Sequence, residues 1–274
     1  MAADKIEKVG GSLIQHGKLN DRVYIMKASG DHEKLLKEIE SLCEENGYSK
    51  VFGKIPACAS ETYSKKGFEC EAMIPGYFNS GEDLHFMSKF LDKDRKSRYE
   101  ENDTTLEASN FNLEESRIRL PDEYTARSLK KEDLKSLAGL YSQVFQSYPF
   151  PITRKNFLEK AMGDGTLYVG VFEGEKIVSA SSAEIDWENR AAELTDFATD
   201  PQHAGNNFAA YQIQFLEDVL RNEGFQTLYT IARAKSIPIN RAFAKNGYEY
   251  SGTLVKNTHI AGNIEDMNVW HKKA

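Results

Sequence analysis

Short apolar runs alternate with amphipathic ones along the chain, in an order that occurs twice. From Ser12, SLIQHGKLNDRVYIMKAS reads as two short strands around a polar turn containing Gly17 and Asn20. DHEKLLKEIESLCEENG then sets Leu35, Leu36, Ile39 and Leu42 at helical spacing and stops at Gly47, as a helix C-cap does. KVFGKIP follows as a strand, CASETYSKKG as a short helix ended by Gly67, and FECEAMIPGYF as a strand. EDLHFMSKFL is a further strand or a short helix.

Between Asp92 and Arg119 the periodicity stops. LDKDRKSRYEENDTTLEASNFNLEESR is highly charged and poor in apolar spacing, which marks a linker or a solvated helix. The expected division is residues 1–95, a linker at 96–118, and residues 119–274. The second part opens with a strand, YTARS, and a helix that places Leu134, Leu137, Leu140, Tyr141 and Val144 on one face. SYPFPITRKNFLEKAMG is a proline-kinked loop entering a second helix, and TLYVGVFEGEKIVSASSAEID is a hairpin turning at EGEK. AELTDFATDP is a strand, FAAYQIQFLEDVLRNEG a helix closed by Gly224, and FQTLYTIAR another strand. A short helix ending NGYE and two strands, YEYSGTLVK and DMNVWHK, finish the chain.

Helix, strand, helix, strand, strand thus runs over 31–91 and again over 208–271. NRAFAKNGYEYSG, beginning at Asn240, restates SETYSKKGFECEA, beginning at Ser60. Gly at the end of a short helix needs no functional reason, so the repeat predicts architecture: an α+β chain of two related mixed sheets flanked by helices, the N-terminal copy incomplete.

Composition narrows the setting. The 274 residues are 40% hydrophobic, 28% charged and 11% aromatic, with a formal charge of −7. That is globular material, and its acidic balance argues against nucleic acid and anionic membrane as partners while suiting a small cationic substrate. Cys43, Cys58 and Cys70 are odd in number and form no CxxC, and the chain start lacks the apolar core of a signal peptide. A reducing, cytoplasmic setting is expected, with no metal, since no second ligand stands at metal spacing from His259.

The candidate chemistry lies in TDFATDPQHAGNNFAAYQ, where a strand, a proline and small or amide residues open directly into a helix. Gly205 and Ala209 let backbone approach a ligand there, and the free N–H groups of a helix start suit a phosphate, although such turns also occur without ligands. In order of elements and in this loop, the C-terminal half resembles the GNAT N-acetyltransferase superfamily, whose pyrophosphate loop reads Arg/Gln-x-x-Gly-x-Gly/Ala. Ala204, Asn207 and Ala209 stand at the signature positions, with Gly205 after the first. Ala204 departs by lacking a long polar side chain, and Asn207 departs toward a residue that also tolerates left-handed backbone. GSLIQHGKLNDRVYIMK, GFECEAMIPGYFNSGEDLHFMSKFL, TDFATDPQHAGNNF and GTLVKNTHIAGNIEDMNVWHK together are similar to the β-lysine N-acetyltransferase family.

That resemblance implies acetyl-CoA-dependent acetylation of the ε-amine of β-lysine, giving Nε-acetyl-β-lysine, a compatible solute used in osmoadaptation. It also implies that acetyl-CoA is held by Phe197, Ala198, Thr199, Ala204, Gly205, Asn206, Asn207, Phe208, Ala209, Ser236 and Asn240. Glu193 takes the place of the superfamily's general base. In a regular strand Asp196, three residues on, faces the other side. The superfamily's usual tyrosine proton donor is Phe243 here, so the thiolate leaves unassisted or Tyr248 or His259 serves. Tyr63 holds the matching position in the N-terminal copy, without a loop beside it. Acceptor recognition is expected from Tyr148, Phe150, Glu184, Asp196, Asn257, His259 and Glu265. Another amine (a polyamine, α-lysine or a peptide terminus) and a catalytically silent binding protein are the competing readings.

Overall fold

A computed structural model describes residues 4–97 and 117–274. The segment expected as the linker lies, over 98–116, outside the described residues. Among the described residues there are thirteen strands and six α-helices in an α+β arrangement. The N-terminal half runs β1 (Lys5–Val9), β2 (Ser12–Gly17), β3 (Arg22–Lys27), α1 (His32–Asn46), β4 (Lys50–Pro56), α2 (Ser60–Ser64), β5 (Glu69–Ile74) and β6 (Leu84–Phe90). The C-terminal half runs β7 (Tyr124–Ser128), α3 (Leu134–Val144), α4 (Lys155–Gly163), β8 (Leu167–Glu173), β9 (Lys176–Asp186) and β10 (Ala191–Thr199). It continues with α5 (Phe208–Asn222), β11 (Thr227–Arg233), α6 (Ile237–Lys245), β12 (Glu249–Ile260) and β13 (Asn263–Lys273).

All thirteen strands join one sheet, in the order β1-β2-β3-β4-β6-β5-β12-β13-β11-β10-β9-β8-β7. Read from the join outward, β5-β6-β4-β3-β2 matches β12-β13-β11-β10-β9 strand for strand, so the textual repeat is a repeat of topology. Each half has one parallel pair, β3 with β4 and β10 with β11, the remaining pairs being antiparallel. The halves meet where Ala72 of β5 opposes Gly252 of β12. These are the last residues of the two repeated phrases, so the chain makes an internal pseudo-twofold contact between equivalent positions, as a symmetric dimer does between subunits.

The join is polar at its edge and apolar beneath. Lys50, fully buried, donates to Glu71 at 2.7 Å and to the Val255 carbonyl at 2.7 Å, while the Val255 N–H donates to Glu71. Arg95 donates to the carbonyls of Lys256 and Asn20, both at 2.7 Å. Below, Tyr24, Phe52, Tyr77 and Phe86 of one half pack with Tyr229, Leu254, Met267 and Val269 of the other in a common core. Burial of that aromatic surface holds the halves together better than their few shared strand hydrogen bonds do.

The two copies differ at the helix start that follows the parallel strand. In α1 the Asp31 side chain accepts from the N–H of Glu33 and Lys34, so the helix end is filled by its own carboxylate. In α5 the cap residue Asn207 sits at φ 56°, ψ 24° and makes no side-chain cap bond. One helix start is closed to anions and the other is open. Tyr63 in the N-terminal copy is fully buried against His32 and Phe68.

Three features go beyond the sequence reading. β1 is a short, mostly exposed edge strand with little apolar periodicity. β6 resolves the ambiguity over EDLHFMSKFL in favour of a strand. The last hairpin is longer than expected, because Ala261 (φ 51°) and Gly262 (φ 88°) make a two-residue turn of the kind usually written Asn-Gly.

Candidate active site

β10 and β11 pair only from Ala191–Glu193 to Thr227–Tyr229 and then part. The parting has a local cause. Between Thr195 and Ala198 the register of β10 against β9 slips, placing an extra residue in β10, and Asp196 adopts φ 56°. A bulge of this kind bends its strand and re-aims its side chains. Beyond Glu193 the facing edges of the two strands therefore have no partner in the sheet, and a cleft of about 500 Å³ opens between them.

The slip also corrects the expectation for Asp196. A regular strand would put Glu193 and Asp196 on opposite faces, whereas both line the cleft. Glu184 joins them, directly opposite Glu193 in the β9–β10 register. Three carboxyl groups thus face one space. Asp196 is buried and accepts from Tyr148 Oη at 2.5 Å and Ser182 Oγ at 2.6 Å. Burial pushes its carboxyl up in pKa and these two donors draw it back, leaving a net rise. Glu184 is open to water in the cleft, yet the walls exclude enough solvent that burial, then Glu193 and Asp196, raise its carboxyl above the ordinary glutamate range. Among the described residues no group of His, Cys, Asp and Glu is arranged to hold a metal ion, these three included.

The N-terminal half builds the opposite wall. Lys54 of β4 donates to Glu193 Oε2 at 3.3 Å and to Tyr229 Oη at 2.5 Å. Burial works against the Lys54 charge, and the oxygens of Tyr229, Tyr24 and Glu193 outweigh it, so its pKa rises. Arg22, Tyr24 and Phe52 stand beside it on the cleft lining. No sequence reasoning assigned these residues to a site, although a lysine in the middle of the apolar strand KVFGKIP was a usable signal, since lysine is seldom buried without a partner.

The expected acetyl-CoA residues divide. Phe197, Thr199, Ala209 and Ser236 line the cleft. Gly205 (φ 91°) has nothing within 4 Å of where a Cβ would stand, and with Asn207 it turns the chain so that the start of α5 is uncapped. Ala204 and Asn206 belong to the same turn, Asn206 donating to the His203 carbonyl at 3.0 Å. This open helix start beside the cleft fits a diphosphate: N–H groups and the positive end of the helix face it, and no protein carboxylate caps it.

Three of these side chains point elsewhere. Phe208 is core, packed on Val171, Val178 and Tyr124. Ala198 faces the core under α3 and α4. Asn240 is fully buried: its Nδ2 donates to the carbonyls of Arg233, Ala234 and Ser236, and its Oδ1 accepts from Asn268 and Trp270. It braces the turn that leads into α6.

Of the expected acceptor residues, Tyr148, Phe150, Glu184, Asp196 and Asn257 line the cleft, and His259 and Glu265 do not. His259 lies near Ser147 and is tied by its N–H to Asn20. Glu265 is held by Arg233 at 2.7 Å and Lys235 at 2.8 Å. Phe243 is fully buried against Phe197 and Tyr248, and Tyr248 lies in the same core rather than on the cleft.

The comparisons bear on this geometry. The acetyltransferase (GNAT) family model matches residues 132–248, the span containing the bulge, the open loop and α5. A β-lysine N6-acetyltransferase from Methanococcus maripaludis is 37% identical over 271 residues, covering 98% of each chain. The chain belongs to the β-lysine N6-acetyltransferase family. A relative of that name from Methanosarcina mazei is 30% identical, covering 88% of this chain and 97% of its own. The N-acetyltransferase YodP of Bacillus subtilis is 29% identical over 96% of both. The family alignments run through the N-terminal half as well, where Lys54 and Arg22 lie. The protein is an acetyl-CoA-dependent N-acetyltransferase, and no helix among the described residues is long and apolar enough to cross a membrane.

Two predictions belong here. Gly205→Val puts a branched side chain at φ 91° in the open turn, and the KM for acetyl-CoA should rise by about tenfold, with the melting temperature lowered by a few degrees through backbone strain of about 1–3 kcal/mol. An unchanged KM would remove the loop from the acetyl-CoA site. Glu184→Gln should raise the melting temperature at alkaline pH and hardly at pH 4. The folded carboxyl has a raised pKa, so the folded state binds more protons than the unfolded one above the ordinary glutamate value of about 4.3. Wild-type stability therefore falls as pH rises through that window, and the variant escapes the loss. Parallel melting curves across the pH range would contradict the crowding of these carboxylates.

Proposed function

We propose that this enzyme moves the acetyl group of acetyl-CoA to the ε-amine of β-lysine, giving Nε-acetyl-β-lysine. The observation that carries the acceptor assignment is the convergence of Glu184, Glu193 and Asp196 on one space with Lys54 the cation paired to Glu193. Burial raises the carboxyl pKa of Glu184 and of Asp196, which marks a space short of positive charge, and a substrate ammonium supplies it. Methanogen relatives that carry this name support the same acceptor.

Acetyl-CoA supplies an activated acyl group. The start of α5 holds its diphosphate, and backbone N–H groups around Phe197–Thr199, on the unpaired edge of β10, face the acetyl carbonyl where negative charge develops. The substrate amine, with an ordinary pKa near ~10.4, must first lose a proton. Glu193 is the proton acceptor, placed where β10 and β11 separate, and Glu184 across the register takes part in holding the ammonium. Phe243 has no proton to give, and Tyr248 and His259 lie off the cleft. The thiolate leaves unassisted, because a thiol with a pKa of about 8.5 is a good leaving group at neutral pH.

The product has exchanged a positive charge for a neutral amide. That suits accumulation as a compatible solute within the cytoplasm during osmoadaptation. Release of CoA thiol from acetyl-CoA in the presence of single amines tests the assignment. Rapid release with β-lysine and slow release with α-lysine or spermidine is expected. Release with a polyamine or peptide terminus alone would replace the acceptor, and silence with every amine would remove the enzyme reading.

A further inference from the structure

The N-terminal wall of the cleft holds a second cation with no ion-pair partner. Arg22 is 3% exposed, lines the cleft, and forms no ion pair with any carboxylate among the described residues. Its Nη1 atom is used by the Asn257 carbonyl and by Thr258 Oγ1 at 2.9 Å, but its buried Nε has no acceptor. The guanidinium lies over the rings of Phe52 and Tyr24, at 4.6 and 5.6 Å, which fixes its plane. Burial and then the neighbouring Arg95 pull its pKa down to about 9, so it is charged at neutral pH and short of negative charge.

Beside it is the complementary vacancy. Asn257 is 1% exposed and lines the cleft, and its Oδ1 has no donor. An unpaired guanidinium N–H and an unpaired amide oxygen therefore stand together on one wall, bound to each other through the Asn257 backbone. Buried polar atoms without partners are costly, and because both residues line the cleft a ligand lodged there is their natural partner. Tyr24 links this patch to the acidic one, since its ring also lies 6.0 Å from Lys54 Nζ, and Lys54 binds Glu193.

We propose that Arg22 and Asn257 form the head-group site of the acceptor, Arg22 binding the carboxylate and Asn257 Oδ1 accepting from the amine beside it. This rests on the acceptor class proposed above and adds a reason for regioselectivity. With its carboxylate held by Arg22 of the N-terminal half and its inner ammonium by Asn257 of β12, only the far amine reaches Glu193. The N-terminal half is then a specificity element, and loss of its own open helix start leaves that role intact. Arg22 is suited to it, because a planar guanidinium pairs with a carboxylate through parallel N–H bonds.

Two analogues read the two contacts in the wild-type enzyme, so no variant needs to fold. 1,4-Diaminopentane is β-lysine without the carboxylate, and 6-aminohexanoate is β-lysine without the inner amine. Each should show a kcat/KM lower than that of β-lysine by about 100-fold, the size expected when a buried charged partner is left unpaired. Arg22→Met should lose that factor with β-lysine, mainly in KM, and change little with 1,4-diaminopentane. Asn257→Leu should narrow the gap between β-lysine and 6-aminohexanoate. If the wild-type enzyme treats 1,4-diaminopentane and β-lysine alike, or Arg22→Met lowers both equally, the carboxylate contact is overturned while the acetyltransferase stands. If the wild-type enzyme acetylates none of the three, the acceptor reading fails and the head-group site with it.

Discussion

Glu193→Gln lowers kcat with β-lysine by about 10²- to 10³-fold at pH 7, the usual worth of a positioned general base. The loss shrinks as pH rises toward the amine pKa of about 10.4, because an acceptor that arrives unprotonated needs no base. The amide keeps the size and shape of the side chain, so the change reports proton transfer. It also removes the negative charge from the 3.3 Å contact with Lys54, leaving an amide oxygen as acceptor there beside Tyr229. A loss that is flat with pH would make Glu193 a charge that binds the ammonium and would pass the role of base to Glu184, its neighbour across the register.

The second large effect is on the joint between the halves. Gly252 has φ 145°, and a Cβ there would stand 2.1 Å from the Glu71 carbonyl oxygen and 2.9 Å from Ala72 Cα. Backbone, not a flexible side-chain end, fills that space, so β5 and β12 must separate to admit a methyl group. Gly252→Ala should destabilise the protein by about 3 kcal/mol or more. The damage should reach the site as well, because β12 carries Asn257 and the N-terminal half carries Lys54 and Arg22. Thermal melting with a KM measurement for the acceptor checks both parts. A variant that melts like wild type would show that the pseudo-twofold contact is slack.

Much of this architecture can be read from residue order. The helices follow from apolar spacing and their glycine stops: Leu35, Leu36 and Ile39 do bury under α1, and Gly47 closes it at φ 60°. The structure adds where the two copies touch, at Ala72 and Gly252, a contact that the repeat itself did not reveal. What stayed illegible depends on contacts distant in sequence. The bulge that turns Asp196 into the cleft breaks strand alternation without a glycine or proline to announce it. Lys54 and Arg22 lie more than one hundred residues from Glu193 and reach it only because β5 and β12 join two half-sheets. Asn240 stands at a position matched to cofactor binding, and its five hydrogen bonds turn it inward, a fact that depends on Asn268 and Trp270. Phe243 was visible as a departure from the superfamily, and its burial against Phe197 shows why: the position is core.

The account turns on a cleft between β10 and β11 that carries the acetyl donor on one side and an acceptor amine on the other. A crystal structure with CoA and β-lysine bound tests it most directly. The diphosphate should lie on the N–H groups of Gly205–Ala209, with the far amine of β-lysine between Glu184 and Glu193. A diphosphate bound elsewhere, or an amine lodged away from those two carboxylates, would contradict it.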